Sequence, residues 1–399
     1  MQCVILAAGE GSRMRPLTSS RPKVMLPLVG KPILEHLIRN VREAGIKEII
    51  IVVGYKEEAI REYFGDGRSF GVSITYVVQR KQLGTADALR TAEPFITDTF
   101  LMLNGDMVIE IGDLQKICRT EAPVMAVTTT THPQDFGVVT LSKGKIASLE
   151  EKSPNPKSDI INAGAYLFGT EIFETLRKVS PSSRGEYELT DALMDYIAEE
   201  RLTAHPLLVW MDVGYPWDML AANEHLMESM EDTRLGDIEE NVVIRGRIYL
   251  GKGAVIKSGT YIEGPVIIGE NTTVGPNAYL RPGTTVGRNC NIGHAVEVKN
   301  SIIFDGTKVP HYNYIGDSVI GSGCNFGAGT KIANLRHDHG IVKVAGVSTG
   351  RKKFGAVIGD NVLFGINCSV NTGSSIGSGC RIAPNTLVTG KLENDTVVK

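Results

Sequence analysis

Hydrophobic and polar positions follow two different rhythms along this chain. Up to about residue 225, short apolar runs alternate with stretches whose apolar residues recur at helical spacing. Gln2–Ala8, Glu48–Val53, Ile74–Gln79 and Phe100–Asn104 predict strands. Ile33–Ala44, Glu57–Phe64 and Thr85–Ala92 predict helices, the last with Thr85 as its N-cap. Strand–helix alternation implies a mostly parallel α/β sheet, in which ligands collect outside the carboxyl ends of the strands. The stretch WDMLAANEHLMESMEDTR reads as a further helix running into a polar linker near residues 228–237.

From Ile238 the period becomes six. Ile238, Ile244, Leu250, Ile256, Ile262, Ile268, Val274, Leu280, Val286, Ile292, Val298 and Phe304 form an unbroken apolar series. The frame returns at Ile320, Phe326 and Ile332, and again at Ile358, Phe364, Val370, Ile376, Ile382 and Val388. A six-residue repeat predicts a parallel β-helix, each turn burying one apolar residue in a stacked interior. The steps from Phe304 to Ile320 and from Ile332 to Ile358, 16 and 26 residues, do not divide by six. Irregular segments are therefore expected there, the first holding His311 and Tyr314, the second NLRHDHGIVKVAGVSTGRKK.

Composition narrows the classes. A chain of 399 residues accommodates two or three cores. A net charge of −3 argues against a nucleic-acid or membrane-surface binder, which would carry a basic excess. No apolar run approaches the roughly 18–20 residues of a membrane span, and MQCVILAAGEG lacks the basic start of a secretory signal. The six cysteines include no CxxC pair, so neither a zinc site nor a disulfide framework is indicated, and a reduced cytoplasm is the expected setting.

The loop after the first strand, LAAGEGSRMRPLT, gathers glycines and arginines at a strand end. It is no Walker loop, and the third glycine of a dinucleotide fingerprint would fall at Met14. Gly9 and Gly11 would let backbone N–H groups approach phosphate oxygens, Arg13 offers a bidentate fork, and Lys23 a point charge. Arg15 and Arg21 read instead as partners of surface acids, and Glu186 and Glu188 as residues that cap and solvate a helix.

The set LAAGEGSRMRPLT, RPKVMLPLVGKP, QLGTADAL, NGD, LEEK and NAGAYLF resembles the sugar-1-phosphate nucleotidylyltransferases across the first half of the chain. The resemblance implies a Rossmann-like domain over residues 1–227. In that family a sugar-1-phosphate oxygen attacks the α-phosphorus of a nucleoside triphosphate and pyrophosphate leaves. Pressing two anions together makes cations and donors the main catalysts. By the same resemblance, Leu6, Ala7, Ala8 and Gly9 lie against base and ribose, and Gln79, Gln82, Gly84 and Thr85 read a pyrimidine edge, as in UTP or dTTP. Arg13 and Lys23 would neutralise the triphosphate; Asn104 belongs to the same binding set; Gly137, Glu150 or Glu151 and Asn162 would hold sugar hydroxyls, with Lys152 near the sugar phosphate. Mg²⁺ would be ligated by Asp106 and by a second acid in VWMDVGYPWDM, with Asp212 preferred over the helical Asp218.

The second half, residues 238–399, resembles the hexapeptide-repeat acetyltransferases, most closely the bifunctional type that joins both activities and, within it, the archaeal form. The implied fold is a left-handed parallel β-helix. LRPG, VEVK, HYNY, NFGAGT and ANL supply Arg281, Lys299, His311, Tyr314, Asn325, Ala328 and Asn334, with Lys343 a further candidate in the insertion. An amine must attack the thioester of acetyl-CoA, and an imidazole with an intrinsic pKa of about 6.5 can take its proton. Arg281 and Lys299 would bind the sugar phosphate, Tyr314, Asn325 and Asn334 would orient the groups, and Ala328 would admit the pantetheine arm. The family implies a homotrimer, or a dimer of trimers, with acetyl sites between neighbours. The alternative is a monofunctional uridylyl- or thymidylyltransferase whose β-helix only assembles subunits.

Overall fold

The computed structural model describes residues 1–182 and 185–399. The chain divides into two compact units: one made of Met1–Glu10, Pro22–Met25 and Ile33–Asp212, the other of Gly11–Arg21, Leu26–Pro32 and Val213–Lys399.

The first unit is built on a nine-stranded sheet. In spatial order its strands are Ser73–Val78, Glu48–Val53, Gln2–Ala7, Phe100–Asn104, Ile160–Phe168, Val124–Thr129, Thr203–Pro206, Lys145–Glu151 and Gly137–Ser142. The first four run parallel, and Ile160–Phe168 opposes Phe100–Asn104. Leu6 therefore lies between Val52 and Asn104. Successive side chains point to opposite faces, so Cys3, Ile5 and Ala7 join one core while Val4, Leu6 and Ala8 join the other. Leu34, Leu37, Ile38 and Val41 of helix Ile33–Glu43 cover the first face, and Ala86, Ala88, Leu89 and Ala92 of helix Thr85–Ala92 cover the second. Thr85 is not this helix's N-cap. Gly84 holds the cap position at φ 104°, a backbone conformation a side chain disfavours, and Thr85 Oγ1 instead accepts the Leu189 N–H at 3.0 Å.

The second unit contains a three-sided left-handed parallel β-helix, with sheets of nine, nine and eight strands. One inward column runs Ile268, Val286, Ile303, Ile320, Ile358, Ile376 and Leu392. The column passes through Ile303, so Phe304 is not the twelfth repeat position. The SIIF run offers three consecutive apolar residues, and the corner after Val298 is one residue shorter than the period. Another short corner follows Ile315, and these two account for the 16-residue step. His311 thus lies on a regular strand, Lys308–His311, and not in an inserted loop. The 26-residue step is a true insertion, carrying the hairpin Lys343–Val344 with Val347–Ser348.

Corners of the coil are turned by residues that tolerate the left-handed region, including Asn271, Asn277, Asn289, Asn361, Asn367 and Asn385. Cys290, Cys324 and Cys380 are buried at equivalent corner positions, where a small side chain fills the stack and each thiol meets a backbone carbonyl. Thr233–Arg234, within the stretch expected as linker, already pairs with Tyr249–Leu250 as the first rung of one sheet. Helix Asp218–Glu228 packs in this unit, where Asn223 Nδ2 donates to Gly283 O at 3.1 Å and its Oδ1 accepts Thr285 Oγ1 at 3.0 Å.

Candidate active sites

In the first unit the parallel strands end at a common edge. Lys23, only 7% exposed, directs its ammonium to Asp106 Oδ2 at 2.6 Å. Asp106 sits in the turn between Phe100–Asn104 and Met107–Ile109, held by the Gly105 N–H on Leu6 O at 2.9 Å. Strand Trp210–Asp212 runs antiparallel to Met107–Ile109 and places Asp212 opposite Met107, one residue from Asp106. Asp218 is used differently: its Oδ2 accepts the Tyr215 N–H at 2.7 Å at the start of its helix. Among the described residues no cluster of three or more His, Cys, Asp or Glu forms a metal cage. Two neighbouring carboxylates suit a Mg²⁺ ion that completes its shell with substrate phosphates and water.

Around this edge, Ala8 O accepts the Tyr55 N–H at 3.1 Å and Gln82 Nε2 at 2.9 Å, joining the first loop to the 79–85 segment. Gln79 is buried and gives its amide protons to Gly84 O at 3.1 Å and Asp87 Oδ2 at 2.8 Å. Its amino group thus braces the turn into the helix at Thr85. The predicted sugar residues also converge. Gly137 opposes Glu151 across the hairpin, and a Cβ at 137 would lie 3.0 Å from Glu151 Oε2 and 3.5 Å from Asn162 Cβ. Asn162 is fixed by Tyr166 Oη and by the Gly164 N–H. Gly164, at φ 71°, leaves room for Asn104, whose Nδ2 would stand 2.3 Å from a Cβ there. Glu150 and Glu151 are exposed at the end of strand Lys145–Glu151, and Lys152, exposed just beyond it, takes φ 49°.

Arg13 belongs to the other compact unit, on the turn Ser12–Met14. Gly11 opens that turn at φ 66°, and Thr18 Oγ1 closes it by donating to Gly11 O at 3.0 Å. The Arg13 guanidinium lies 5.1 Å from the Tyr215 ring centre. Arg21 pairs with an acid as expected, but with the buried Asp360.

On the β-helix, strands Tyr279–Leu280, Glu297–Lys299 and Tyr314–Gly316 stack so that Lys299 stands in register with Gly316. Outward-facing Tyr279, Glu297, Tyr314 and Lys331 form the neighbouring row. Lys299 Nζ meets Asp317 Oδ2 at 3.0 Å, and Asn334 Nδ2 and Asn300 Nδ2 donate to the same carboxylate. Arg281 pairs with Glu297 at 3.0 Å and lies 5.6 Å from the Tyr279 ring. A Cβ at Gly316 would stand 2.6 Å from Tyr314 Oη and 2.7 Å from Asn334 Nδ2, so these two groups meet over a bare backbone. Burial, reinforced by Glu297 and Asp317, holds the Tyr314 phenol above its ordinary range, so it is a proton donor at neutral pH.

His311 and Asn325 come from the adjoining face, with His311 in register with His294 and Asn325 with Lys308. A two-residue corner, Tyr312 and Asn313, separates His311 from Tyr314. Ala328 is half-buried at the next corner, and Lys343 is exposed on the inserted hairpin. The structure thus gathers Arg281, Lys299, Tyr314 and Asn334 around two carboxylates, with His311 one corner away. Sequence reasoning passed over Glu297, Asn300 and Asp317. No local motif marks them: Asp317 follows Gly316, which stands in register with Lys299 one 17-residue coil earlier.

Residues 2–229 match the nucleotidyl transferase family, 262–364 the C-terminal domain described as GMPPB, and 355–390 the bacterial transferase hexapeptide family. A protein named bifunctional protein GlmU from Methanocaldococcus jannaschii is 43% identical, covering 100% of this chain and 97% of its own. One of the same name from Methanococcus maripaludis strain C7 is 47% identical over the same shares. A Sulfurisphaera tokodaii protein named bifunctional sugar-1-phosphate nucleotidylyltransferase/acetyltransferase is 40% identical, covering 97% of each chain.

Proposed function

The chain belongs to the bifunctional sugar-1-phosphate nucleotidylyltransferase/acetyltransferases, and on that premise we propose that it acetylates glucosamine-1-phosphate and then transfers UMP from UTP to the product. The reading is supported by the coexistence of two separate constellations, Lys23–Asp106–Asp212 in one unit and Arg281–Lys299–Tyr314–Asn334 in the other. A monofunctional transferase with a purely assembling β-helix would have no use for a lysine–carboxylate–asparagine cluster of this kind.

The first activity is assigned to residues 1–227. An oxygen of the sugar phosphate attacks the α-phosphorus of UTP, the bond to the bridging oxygen breaks, and pyrophosphate leaves. Charge builds on phosphate oxygens during this exchange, so Lys23 and Arg13 stabilise the transition state more than the ground state. Lys23 is already held in place by Asp106, which limits reorganisation on substrate binding. Asp106 and Asp212 would hold Mg²⁺, which supplies further neutralisation of the triphosphate. Leu6, Ala7, Ala8, Gly9, Gln82, Gly84 and Thr85 would line the nucleotide, and Gly137, Glu151 and Asn162 the sugar, as the hairpin arrangement favours.

The second activity is assigned to residues 238–399. The sugar amine attacks the thioester carbonyl of acetyl-CoA, a C–N bond forms, the C–S bond breaks, and coenzyme A leaves as the thiol. His311 takes the amine proton. Arg281 and Lys299 hold the phosphate, and Tyr314, Asn325 and Asn334 orient acceptor and base. The β-helix would trimerise and complete each acetyl site with a neighbour's residues. Among the described residues no helix is long and apolar enough to cross a membrane, and we place both reactions in the cytoplasm.

The test is incubation of pure protein with Mg²⁺, acetyl-CoA, UTP or dTTP, and glucose-, glucosamine- or galactosamine-1-phosphate. Free thiol and pyrophosphate are followed separately. The expected product is UDP-N-acetylglucosamine, with thiol release preceding pyrophosphate when glucosamine-1-phosphate is offered. Pyrophosphate release without any thiol from an amino-sugar phosphate would favour the monofunctional reading.

A further inference from the structure

The segment Gly11–Arg21, which carries Arg13, belongs to the same compact unit as the β-helix, and contacts at both of its ends hold it there. At the C-terminal end, Ser20 Oγ donates to Asp360, and Arg21 Nη2 reaches the same carboxylate oxygen at 2.9 Å. The other oxygen of Asp360 accepts the Ser322 N–H at 2.7 Å. This buried carboxylate is therefore fixed by the β-helix itself. At the other end, Tyr215, which faces the Arg13 guanidinium, stacks on Trp217 at 4.6 Å and an interplanar angle of 7°. Trp217 in turn meets Phe354 edge-on at 6.1 Å. Phe354 is fully buried at the close of the inserted segment, with its N–H on Asn334 O at 3.0 Å.

Arg13 is exposed, and a long exposed side chain samples many rotamers unless a neighbouring surface restricts it. An aromatic face backed by two further rings is such a surface, and it attracts the cation as well. We propose that the β-helix positions the arginine of nucleotidyl transfer: Asp360 clamps its loop, and Phe354, through Trp217 and Tyr215, supports its guanidinium. The proposal rests on the reading that Arg13 acts on the triphosphate. Asp360, Tyr215, Trp217 and Phe354 touch no reacting atom, and they act as positioning residues. The β-helix is then part of the machinery of the first reaction as well as the seat of the second.

The experiment uses the full chain and follows pyrophosphate and thiol release in parallel. Tyr215→Leu and Asp360→Ala are each expected to lower kcat for pyrophosphate release by about fivefold or more, with a smaller change in KM for UTP. Tyr215→Phe, which keeps the ring, should restore the rate, and thiol release should stay at the wild-type level. Placed in an Arg13→Ala background, Tyr215→Leu should cost nothing further, because its effect passes through the arginine. Independent, multiplying losses would overturn the proposal, as would a Tyr215→Leu variant with wild-type kcat. Should Asp360→Ala lose both activities through misfolding, the Tyr215 series decides. Wild-type turnover by Arg13→Ala would defeat the reading of Arg13 and this proposal together. Loss in Arg13→Ala with full activity in Tyr215→Leu would defeat the positioning alone.

Discussion

At the scale of single residues, the proposed acetyl-transfer face rests on one carboxylate that takes no part in the proposed chemistry. Asp317 is 3% exposed and takes hydrogen bonds from Lys299, Asn300 and Asn334. Lys299 is largely buried beside it, so Asp317→Asn leaves a cation without its counter-charge. The expected cost is about 3 kcal/mol of stability, read as a lower melting temperature, because a broken buried pair exposes the desolvation penalty it had offset. Thiol release should fall in the same variant, since Lys299 and Asn334 lose the group that aims them. Unchanged melting with unchanged thiol release would show that this carboxylate is dispensable. Glycine 316 matters for a related reason: Tyr314 Oη and Asn334 Nδ2 approach over its bare backbone. Gly316→Ala should depress thiol release and leave pyrophosphate release alone.

At the scale of elements, the ribbon formed by Met107–Ile109 and Trp210–Asp212 sets Asp212 opposite Met107, the residue after Asp106, and Asp106 and Asp212 are the two acids proposed for Mg²⁺. Asp212→Asn is expected to abolish most Mg²⁺-dependent pyrophosphate release. Asp218→Asn should mainly weaken the first turn of its helix, where the carboxylate takes the Tyr215 N–H. Titrating Mg²⁺ against turnover separates them; equal losses, or a loss confined to Asp218→Asn, would reverse the assignment. The sequence made these elements legible to different degrees. Inward columns of the coil repeat every six residues because each strand turns one side chain in, so the period survives any change of surface residues. It blurs where apolar residues run together: in SIIF the inward residue is Ile303, and only strand register distinguishes it from Phe304. Thr85 does not cap its helix because Tyr187 O takes the first-turn N–H of Ala86 at 2.9 Å, leaving the hydroxyl to Leu189. Candidate cations were legible from local motifs. Their partners were not, because Asp317 and Glu297 reach them across coils and Asp360 reaches Ser20 and Arg21 across most of the chain.

For the whole molecule, the two proposed anion-binding sites of one chain are made on different principles. One lies at the carboxyl edge of a parallel sheet, where strand ends converge on Lys23 and Asp106. The other lies on the outer rows of a β-helix, where identical positions stack coil upon coil and place charged residues at fixed spacing. A trimer, with neighbours completing each acetyl site, predicts a light-scattering mass three times that of the 43.2 kDa chain, or six times if trimers pair. A monomer with full thiol release would refute that assembly. Two chemically independent reactions are thus proposed for these two sets of residues. The most direct test is to measure pyrophosphate and thiol release in Lys23→Ala and His311→Ala. A crossed result is expected: Lys23→Ala loses pyrophosphate release by about a hundredfold and keeps thiol release, and His311→Ala does the reverse. Wild-type rates for both products in either variant would contradict it.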